Sequence, residues 1–245
     1  FTSTARMDMV ASSGTLKLNQ MALDLEQQGK KVSKFTVGEP DFTTPKFIID
    51  AAYEALKKGD THYTSYKGVL SLREEITRIY QDRGLDFGPD NVMVTPTKMG
   101  IYSSMMTQIE DDEEVLLPDP CWVSYIEMTK LSDGFGIYAS TVRGDDIKYD
   151  YETLEEAVTP RTRMIIINTP SNPTGRVLTR DELKCIADLA EDHNLIVVSD
   201  EVYERLVYGE RKHISIATIG DMWERTITVS GFSKAYAMTG WRIGW

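Results

Sequence analysis

Two residues that follow apolar runs have side chains suited to chemistry on a bound molecule. Asp200 directly follows the run 195–199, and a carboxylate at the end of a buried strand is costly unless a cation pairs with it. The protonated nitrogen of a bound heterocycle is one such cation, whereas the ordinary alternative is a cap on a following helix. Lys234 follows the run 226–229 among small and apolar residues. A lowered pKa there favours Schiff-base formation, and the alternative is a solvated surface lysine.

Groups that suit a phosphate lie at two other places. Arg242 stands between two tryptophans, and a guanidinium binds phosphate through two parallel hydrogen bonds; its alternative is stacking on an aromatic ring without a ligand. Thr97 and Lys98 open a predicted helix that runs to Ile109. The free N–H groups of a helix start favour a phosphate, although an ordinary strand-to-helix turn accounts for this segment equally well.

Three further side chains suit the recognition of a planar ring. Trp122 offers a ring face for stacking, and Asn172, in a Ser-Asn-Pro-Thr-Gly segment, offers a donor for a ring oxygen. Tyr203 comes three residues after Asp200, so the two are expected to share one side of a first helical turn. The alternatives are a core tryptophan, a proline turn and a half-buried tyrosine.

The elements that position these residues are short apolar strands alternating with helices. The predicted strands are Val92–Thr95, Glu114–Leu117, Gly136–Ser140, Met164–Asn168, Leu195–Ser199 and Thr226–Val229. A capping box at Thr179 opens the helix between the fourth and fifth strands. Strands that are apolar on both faces predict an α/β fold, a three-layer α/β/α domain with a mostly parallel sheet. Ligands bind beyond the carboxyl ends of such strands, which is where the candidate residues fall.

The first 90 residues lack the alternation of strands and helices and are predicted to be mainly helical. Apolar spacing predicts helices over 16–28 and 71–83, a strand-like piece over 34–37, and a helix that starts at Thr44-Pro45 and stops at Gly59. The apolar side of this last helix is expected to be buried. We expect residues 1–45 to form an N-terminal arm and part of an incomplete small domain, and residues 46–245 to form a large domain.

Composition and net charge disfavour some classes of binding partner. The 245 residues carry a formal net charge of −11, which disfavours nucleic acid and anionic membranes, and no apolar run has the length of a membrane span. Cys121 and Cys185 match no metal or redox spacing. No metal site and no signal peptide are expected, and two separate cysteines favour a cytoplasmic protein. The end at Trp245, after an apolar run that contains glycine, predicts a truncated chain.

Taken in order, these residues carry a family resemblance. The chain resembles the fold-type I pyridoxal-phosphate (PLP) enzymes, specifically the class I aminotransferases of the prokaryotic-type aspartate aminotransferase branch, from about residue 34 to residue 245. The motifs are Gly-Glu-Pro-Asp-Phe at 38–42, Tyr63 in a Tyr-x-x-x-x-Gly loop, Trp-Val-Ser-Tyr at 122–125, Asn-Pro-Thr-Gly at 172–175, Asp-Glu-Val-Tyr at 200–203, Ser-Lys at 233–234 and Thr-Gly-Trp-Arg-Ile-Gly at 239–244. The ordered set is specific because several independent matches would have to coincide by chance.

The resemblance implies a role for each position. Lys234 would hold PLP covalently and move the substrate's proton. Asp200 would pair with the pyridine nitrogen, and Tyr203 would be a third catalytic residue, bonded to the ring oxygen. The remaining cofactor contacts implied are ring stacking by Trp122, bonds to the ring oxygen from Asn172 and Tyr203, and phosphate binding by Arg242 and the backbone of Thr97 and Lys98. Gly38, Trp122 and Asn172 would face the substrate. Tyr63 would reach the phosphate of a neighbouring subunit, which implies a homodimer with shared active sites.

The implied activity is transfer of an amino group from an L-amino acid, aspartate or an aromatic one, to a 2-oxo acid such as 2-oxoglutarate. The alternatives are a PLP-dependent lyase or cyclopropane-forming synthase of the same fold, and a PLP-sensing regulator. About 35 residues precede the match, too few for the DNA-binding domain of such a regulator. Pro96 and Thr97 depart from the glycine or serine common in the phosphate loop of relatives, and Gly231 replaces a serine. The arginine that grips the α-carboxylate would lie beyond Trp245.

Overall fold

The structure is a computed structural model that describes residues 2–11, 14–33, 35 and 38–245. Within these ranges the chain forms helices α1 Ala5–Asp8, α2 Gly14–Gln27, α3 Lys46–Lys57, α4 Leu70–Gln81, α5 Thr97–Gln108, α6 Ser124–Leu131, α7 Tyr151–Glu155, α8 Arg180–Asp192 and α9 Phe232–Ala235. The strands are β1 Glu114–Asp119, β2 Phe135–Ser140, β3 Val142–Arg143, β4 Asp146–Ile147, β5 Thr162–Asn168, β6 Ile196–Asp200 and β7 Thr226–Val229. Short 3₁₀ helices lie between some of them.

Five strands form one sheet in the order β2-β1-β5-β6-β7. Every pair in it is parallel, as the continuous apolar runs predict. Strands β3 and β4 make a separate antiparallel hairpin that the sequence analysis did not predict. The order reverses direction between β1 and β5, and ligands of open α/β sheets bind at such a switch point.

The predicted strand at Val92–Thr95 is wrong. This segment belongs to neither sheet. Its backbone bonds to loops instead: the N–H of Val94 donates to the Lys67 carbonyl and the N–H of Thr95 to the Gly244 carbonyl, each at 2.9 Å. An apolar run next to a helix start therefore does not by itself identify a strand of the sheet.

Side chains from the two faces of the sheet enter two separate cores. One core joins the sheet to α7 and α8 through Leu116, Ile165, Ile167, Val197, Leu154, Leu183 and Ile186. The other joins the sheet to α5 and α6 through Val115, Leu117, Met164, Ile166, Val198, Ile101, Met105 and Met128. Alternate residues of a strand point to opposite faces, so this division confirms the three-layer α/β/α architecture.

Helix boundaries follow local signals closely. The Thr179 hydroxyl accepts a hydrogen bond from the Glu182 N–H, and the Glu182 carboxylate accepts one from the Thr179 N–H at 2.9 Å. This is the predicted capping box. Gly59 ends the α3 segment with a φ of 90°, a conformation that glycine adopts without steric cost. Helices α2 and α4 fall within two residues of their predicted bounds.

The apolar side of α3 is not buried, contrary to the sequence prediction. At the edges of this side, Phe47 is 71% exposed and Leu56 58%. Ile48, Ala52 and Ala55 between them are half-buried, and none of the helix residues is buried. Periodicity identifies an apolar face but not what covers it. The predicted strand-like piece at 34–37 lies largely outside the described residues. None of the described helices is long and apolar enough to cross a membrane.

Candidate active site

A cavity of about 670 Å³ opens at the carboxyl ends of the strands, where the order of the sheet reverses. Nine of the ten site residues predicted from sequence line it: Gly38, Thr97, Lys98, Trp122, Asn172, Asp200, Tyr203, Lys234 and Arg242. The tenth, Tyr63, lies outside the cavity with its side chain fully exposed. The geometry thus brings together residues that are as far apart in sequence as Gly38 and Arg242.

Asp200 ends β6 and is 4% exposed. Its Oδ2 accepts a hydrogen bond from the Tyr125 hydroxyl at 2.7 Å, and its Oδ1 accepts one from the Val202 N–H at 3.2 Å. Burial raises the pKa of the carboxyl from its ordinary 3.8 to about 6, against the effect of these two donors, and nearby Glu201 adds to the rise. The residues after Asp200 form turns rather than a helix, so the expected helical alignment with Tyr203 is wrong, as is the helix-cap alternative.

Lys234 lies in the short helix α9 that follows β7. Its amine donates to the Gly38 carbonyl at 2.5 Å and stands 5.9 Å from the centre of the Tyr203 ring. Burial lowers the pKa of the amine, Glu39 opposes this change and Arg242 adds to it. Less of the amine is therefore protonated than at an exposed lysine, which suits a group that must act as a nucleophile or base.

Arg242 and the start of α5 face the same cavity. Arg242 has a φ of 58°, in the left-handed region, which costs a non-glycine residue on the order of 1–3 kcal/mol and is concentrated at functional sites. No acidic residue occupies the first turn of α5. The first N–H groups of a helix have no partner within it, so this end of the cavity is electropositive and suits an anion.

Thr97 explains the glycine at position 231. Its hydroxyl donates to the Ser230 carbonyl at 2.9 Å and fills the space beside Gly231, where a Cβ atom would lie 2.5 Å from the hydroxyl oxygen. A Cβ atom at Gly244 would likewise lie 2.5 Å from that oxygen and 2.6 Å from the Ser230 carbonyl oxygen. Two of the departures from the family pattern, Thr97 and Gly231, are thus sterically linked.

The aromatic residues surround the middle of the cavity. Trp122 contacts Tyr125 edge-on, with ring centres 5.3 Å apart, and the Lys98 amine lies 4.7 Å from the centre of the Trp122 ring. Burial lowers the pKa of Lys98, and Arg242 lowers it further. Burial also raises the pKa of the Tyr203 hydroxyl, with a smaller contribution from Asp200, so the hydroxyl keeps its proton and can donate it in a hydrogen bond.

Two residues of the site were not assigned a role from sequence. Tyr125 is fully buried, and burial holds the pKa of its hydroxyl well above the ordinary value, so it donates to Asp200 as a neutral group. Asn168 ends β5, is 8% exposed and lines the cavity. The available signal for Asn168 was a polar residue closing the apolar run 164–167, one strand away from Asp200.

The fold and the site together define an α/β protein with a buried acid, a lysine amine and an electropositive end in one cavity. The chain matches the family described as aminotransferase class I and II over residues 30–245. It is 40% identical to the aspartate aminotransferase of Geobacillus stearothermophilus and 44% identical to aromatic-amino-acid aminotransferase 2 of Thermococcus litoralis. In both comparisons the alignment covers 98% of this chain, and 62% and 61% of those proteins.

Two solved structures that superpose on this chain are also aminotransferases. The aspartate aminotransferase of Thermus thermophilus with maleate superposes with a TM-score of 0.94 at 36% identity, over 100% of this chain and 64% of that one. The aromatic aminotransferase of Pyrococcus horikoshii superposes with a TM-score of 0.82 at 44% identity, over 85% of this chain and 57% of that one. The chain therefore belongs to the class I and II aminotransferase family and spans about three fifths of the length of the relatives it matches.

Proposed function

We propose that the protein is a PLP-dependent aminotransferase that moves the amino group of an L-amino acid to a 2-oxo acid. One observation carries the proposal: the Lys234 amine and the buried Asp200 carboxyl line a single cavity at the switch point of the sheet. Membership of the family supports it.

The residues present fit PLP. Both carboxylate oxygens of Asp200 are bonded to neutral donors, and among the described residues no cationic side chain forms an ion pair with it. A buried carboxyl whose pKa is raised to about 6 would be stabilised as the anion by a protonated ring nitrogen. A cavity of about 670 Å³ is also within the size range of cofactor sites.

In this proposal each residue contributes binding or orientation. Arg242 and the first N–H groups of α5, at Thr97 and Lys98, bind the phosphate. Asp200 pairs with the ring nitrogen. Contacts to the rest of the ring come from Trp122, Asn172 and Tyr203, and Gly38 lies at the substrate side. When bound, PLP supplies an electron-withdrawing ring that stabilises negative charge at the substrate's α-carbon.

Lys234 would hold the cofactor and then act on the substrate's proton. Its lowered pKa increases the fraction of neutral amine, which can accept a proton from the α-carbon. General-base assistance of this kind contributes about 10²–10⁴-fold to a rate. The Tyr203 ring, beside the amine, limits the directions from which the amine can approach a substrate.

Relatives named for aspartate and for aromatic amino acids support those two substrate classes. The proposed acceptor, 2-oxoglutarate, is the one that the family resemblance implies. A lyase would share the early steps, so products separate the two. Incubation of the protein with aspartate or an aromatic amino acid and 2-oxoglutarate should yield glutamate. Pyruvate or ammonia instead would indicate elimination.

The same proposal includes three further expectations. The protein would be a homodimer, it would be cytoplasmic, and it would divide into an N-terminal part of residues 1–45 and a large domain of residues 46–245. Phe47 and Leu56 are exposed apolar side chains of α3, and we assign a second copy as the partner that covers them. Tyr63 would then enter the partner's cavity near the phosphate. Tyr63→Phe should lower PLP affinity in a dimer, measured by equilibrium dialysis. Unchanged affinity would remove Tyr63 from the site.

The direct test of the function is Lys234→Ala. The variant should fold and show at most trace transamination in a coupled assay, because it lacks both the anchoring amine and the base. Lys184→Ala, which removes an exposed lysine bonded to Asp188, is the matched control and should keep full activity. Near-native turnover by the Lys234 variant would end the assignment.

A further inference from the structure

Asn168 occupies a position that links two parts of the candidate site. It is the last residue of β5 and lies in register with Asp200, the last residue of β6. Its Nδ2 donates to the Asp200 carbonyl at 2.8 Å, and its Oδ1 accepts from the Asn172 N–H at 2.6 Å. One partner is an acceptor and the other a donor, so the orientation of the amide is fixed by its surroundings.

The bond to Asn172 supplies an acceptor for a backbone N–H beyond the end of β5, and the bond to Asp200 adds a second donor to a carbonyl at the end of β6. Buried backbone N–H and carbonyl groups need partners, and beyond the last pair of a parallel ladder these must come from loops or side chains. The Asp200 carbonyl also accepts from the Thr169 N–H at 3.2 Å. Among the described residues, Asn168 alone has a side chain that bonds the backbone of both Asp200 and Asn172.

The geometry points to Asn168 as a positioning residue that sets the distance between Asp200 and Asn172, and with it the seat of the cofactor ring between them. The inference rests on the proposed function, in which Asp200 contacts the ring nitrogen and Asn172 the ring oxygen. A rigid amide that spans both loops fixes these contacts relative to each other. Misplacement of such contacts by about 1 Å can cost on the order of a hundredfold in rate.

If Asn168 only stabilised the fold, loss of a similar buried hydrogen bond nearby would have the same effect as loss of Asn168. Thr169 provides the matched control. Its hydroxyl accepts from the Leu178 N–H at 3.0 Å, and it is 1% exposed. Thr169 directly follows Asn168, the last residue of β5, but is not among the residues that line the cavity. Thr169→Val removes a buried hydrogen bond of similar kind, so it tests whether loss of packing alone explains an effect at Asn168.

The first readout is PLP affinity of the full-length protein, measured by equilibrium dialysis. Asn168→Ala should weaken affinity by about tenfold or more, since both links to the ring contacts are lost. Thr169→Val should stay within about threefold of the parent. Equal losses in the two variants would overturn the positioning role.

The second readout is the pH midpoint of the visible absorption of PLP bound at Lys234. Asn172→Ala should raise this midpoint, because the ring oxygen loses a donor that stabilises its anionic form. Asn168→Ala should raise it in the same direction, and Thr169→Val should leave it unchanged. The double variant of Asn168 and Asn172 should match Asn172→Ala, since residues that act through one another are not additive. A parental midpoint in Asn168→Ala, or fully additive shifts, would overturn the inference.

The failures of the two proposals are distinguishable. If the parent protein binds no PLP at Lys234, the proposed function fails whatever Asn168 does. If the parent binds PLP and the Asn168 variants resemble Thr169→Val, only the positioning role fails. Should Asn168→Ala not fold, Asn168→Asp keeps the volume and the acceptor oxygen and removes the donor. It should weaken PLP affinity by about tenfold or more, and parental affinity would count against the inference.

Discussion

Tyr125→Phe removes one hydroxyl from the site and should destabilise the PLP-free protein by an amount that depends on pH. The hydroxyl donates to Asp200 Oδ2 at 2.7 Å inside the core. A hydrogen bond to a charged group contributes about 1.5–3 kcal/mol, and a neutral one about 0.5–1.5 kcal/mol. The free energy of unfolding that Tyr125→Phe loses should therefore be about 1–2 kcal/mol larger when Asp200 is ionised than when it is protonated. This difference corresponds to a pKa of Asp200 that is about one pH unit higher in the variant.

The sign follows from the raised pKa of Asp200. Folding raises this pKa from 3.8 to about 6, so the folded state holds the proton more tightly than the unfolded chain. The contribution of this group to stability is fully present below pH 3.8 and is lost as the pH rises to about 6. In Tyr125→Phe the stability from this group should go on falling until about pH 7, because the removed donor had favoured the ionised form of Asp200.

The assay is urea unfolding of the PLP-free parent and variant at pH 5 and pH 8. Tyr80→Phe is the control, because the Tyr80 hydroxyl is also buried but accepts from the Trp245 indole N–H at 3.0 Å rather than donating to a carboxylate. Its loss should be the same at both pH values. An equal loss for Tyr125→Phe at pH 5 and pH 8 would refute the reasoning about Asp200.

Two further predictions concern the scaffold. Thr179→Ala should lower the free energy of unfolding by about 0.5–2 kcal/mol through loss of the helix cap, with PLP affinity unchanged; a large fall in affinity would contradict the separation of α8 from the site. Gly231→Ala should destabilise the protein, because its Cβ would lie 2.5 Å from the Thr97 hydroxyl oxygen and 3.0 Å from the Gly244 Cα. Adding Thr97→Ala should recover part of that loss in thermal unfolding, whereas additive losses would argue against the contact.

The sequence predicted the sheet from local patterns, whereas the roles of the site residues came from the resemblance to a family. Buried parallel strands are continuous apolar runs, and their ends place polar residues at one edge. Taken singly, Asp200 and Lys234 each had an ordinary structural alternative, and the ordered set of family motifs placed them in one predicted site. The capping box at Thr179 was similarly local, since both partners lie within four residues.

What the sequence did not reveal depends on contacts between distant segments. The donor on Asp200 is Tyr125, 75 residues away, and nothing in the local pattern of either residue specifies the pair. The segment Val92–Thr95 bonds to loops rather than to a strand, and Phe47 and Leu56 on the apolar side of α3 stay exposed. Periodicity reports that a face is apolar, not which partner covers it.

The central claim is that Lys234 carries the cofactor in a cavity shared with Asp200. Reduction of the PLP-loaded protein with borohydride, followed by peptide mass mapping, tests it most directly. The pyridoxyl group should appear on the peptide that contains Lys234 and on no other lysine. Absence of the label, or its presence on Lys98 instead, would contradict the account.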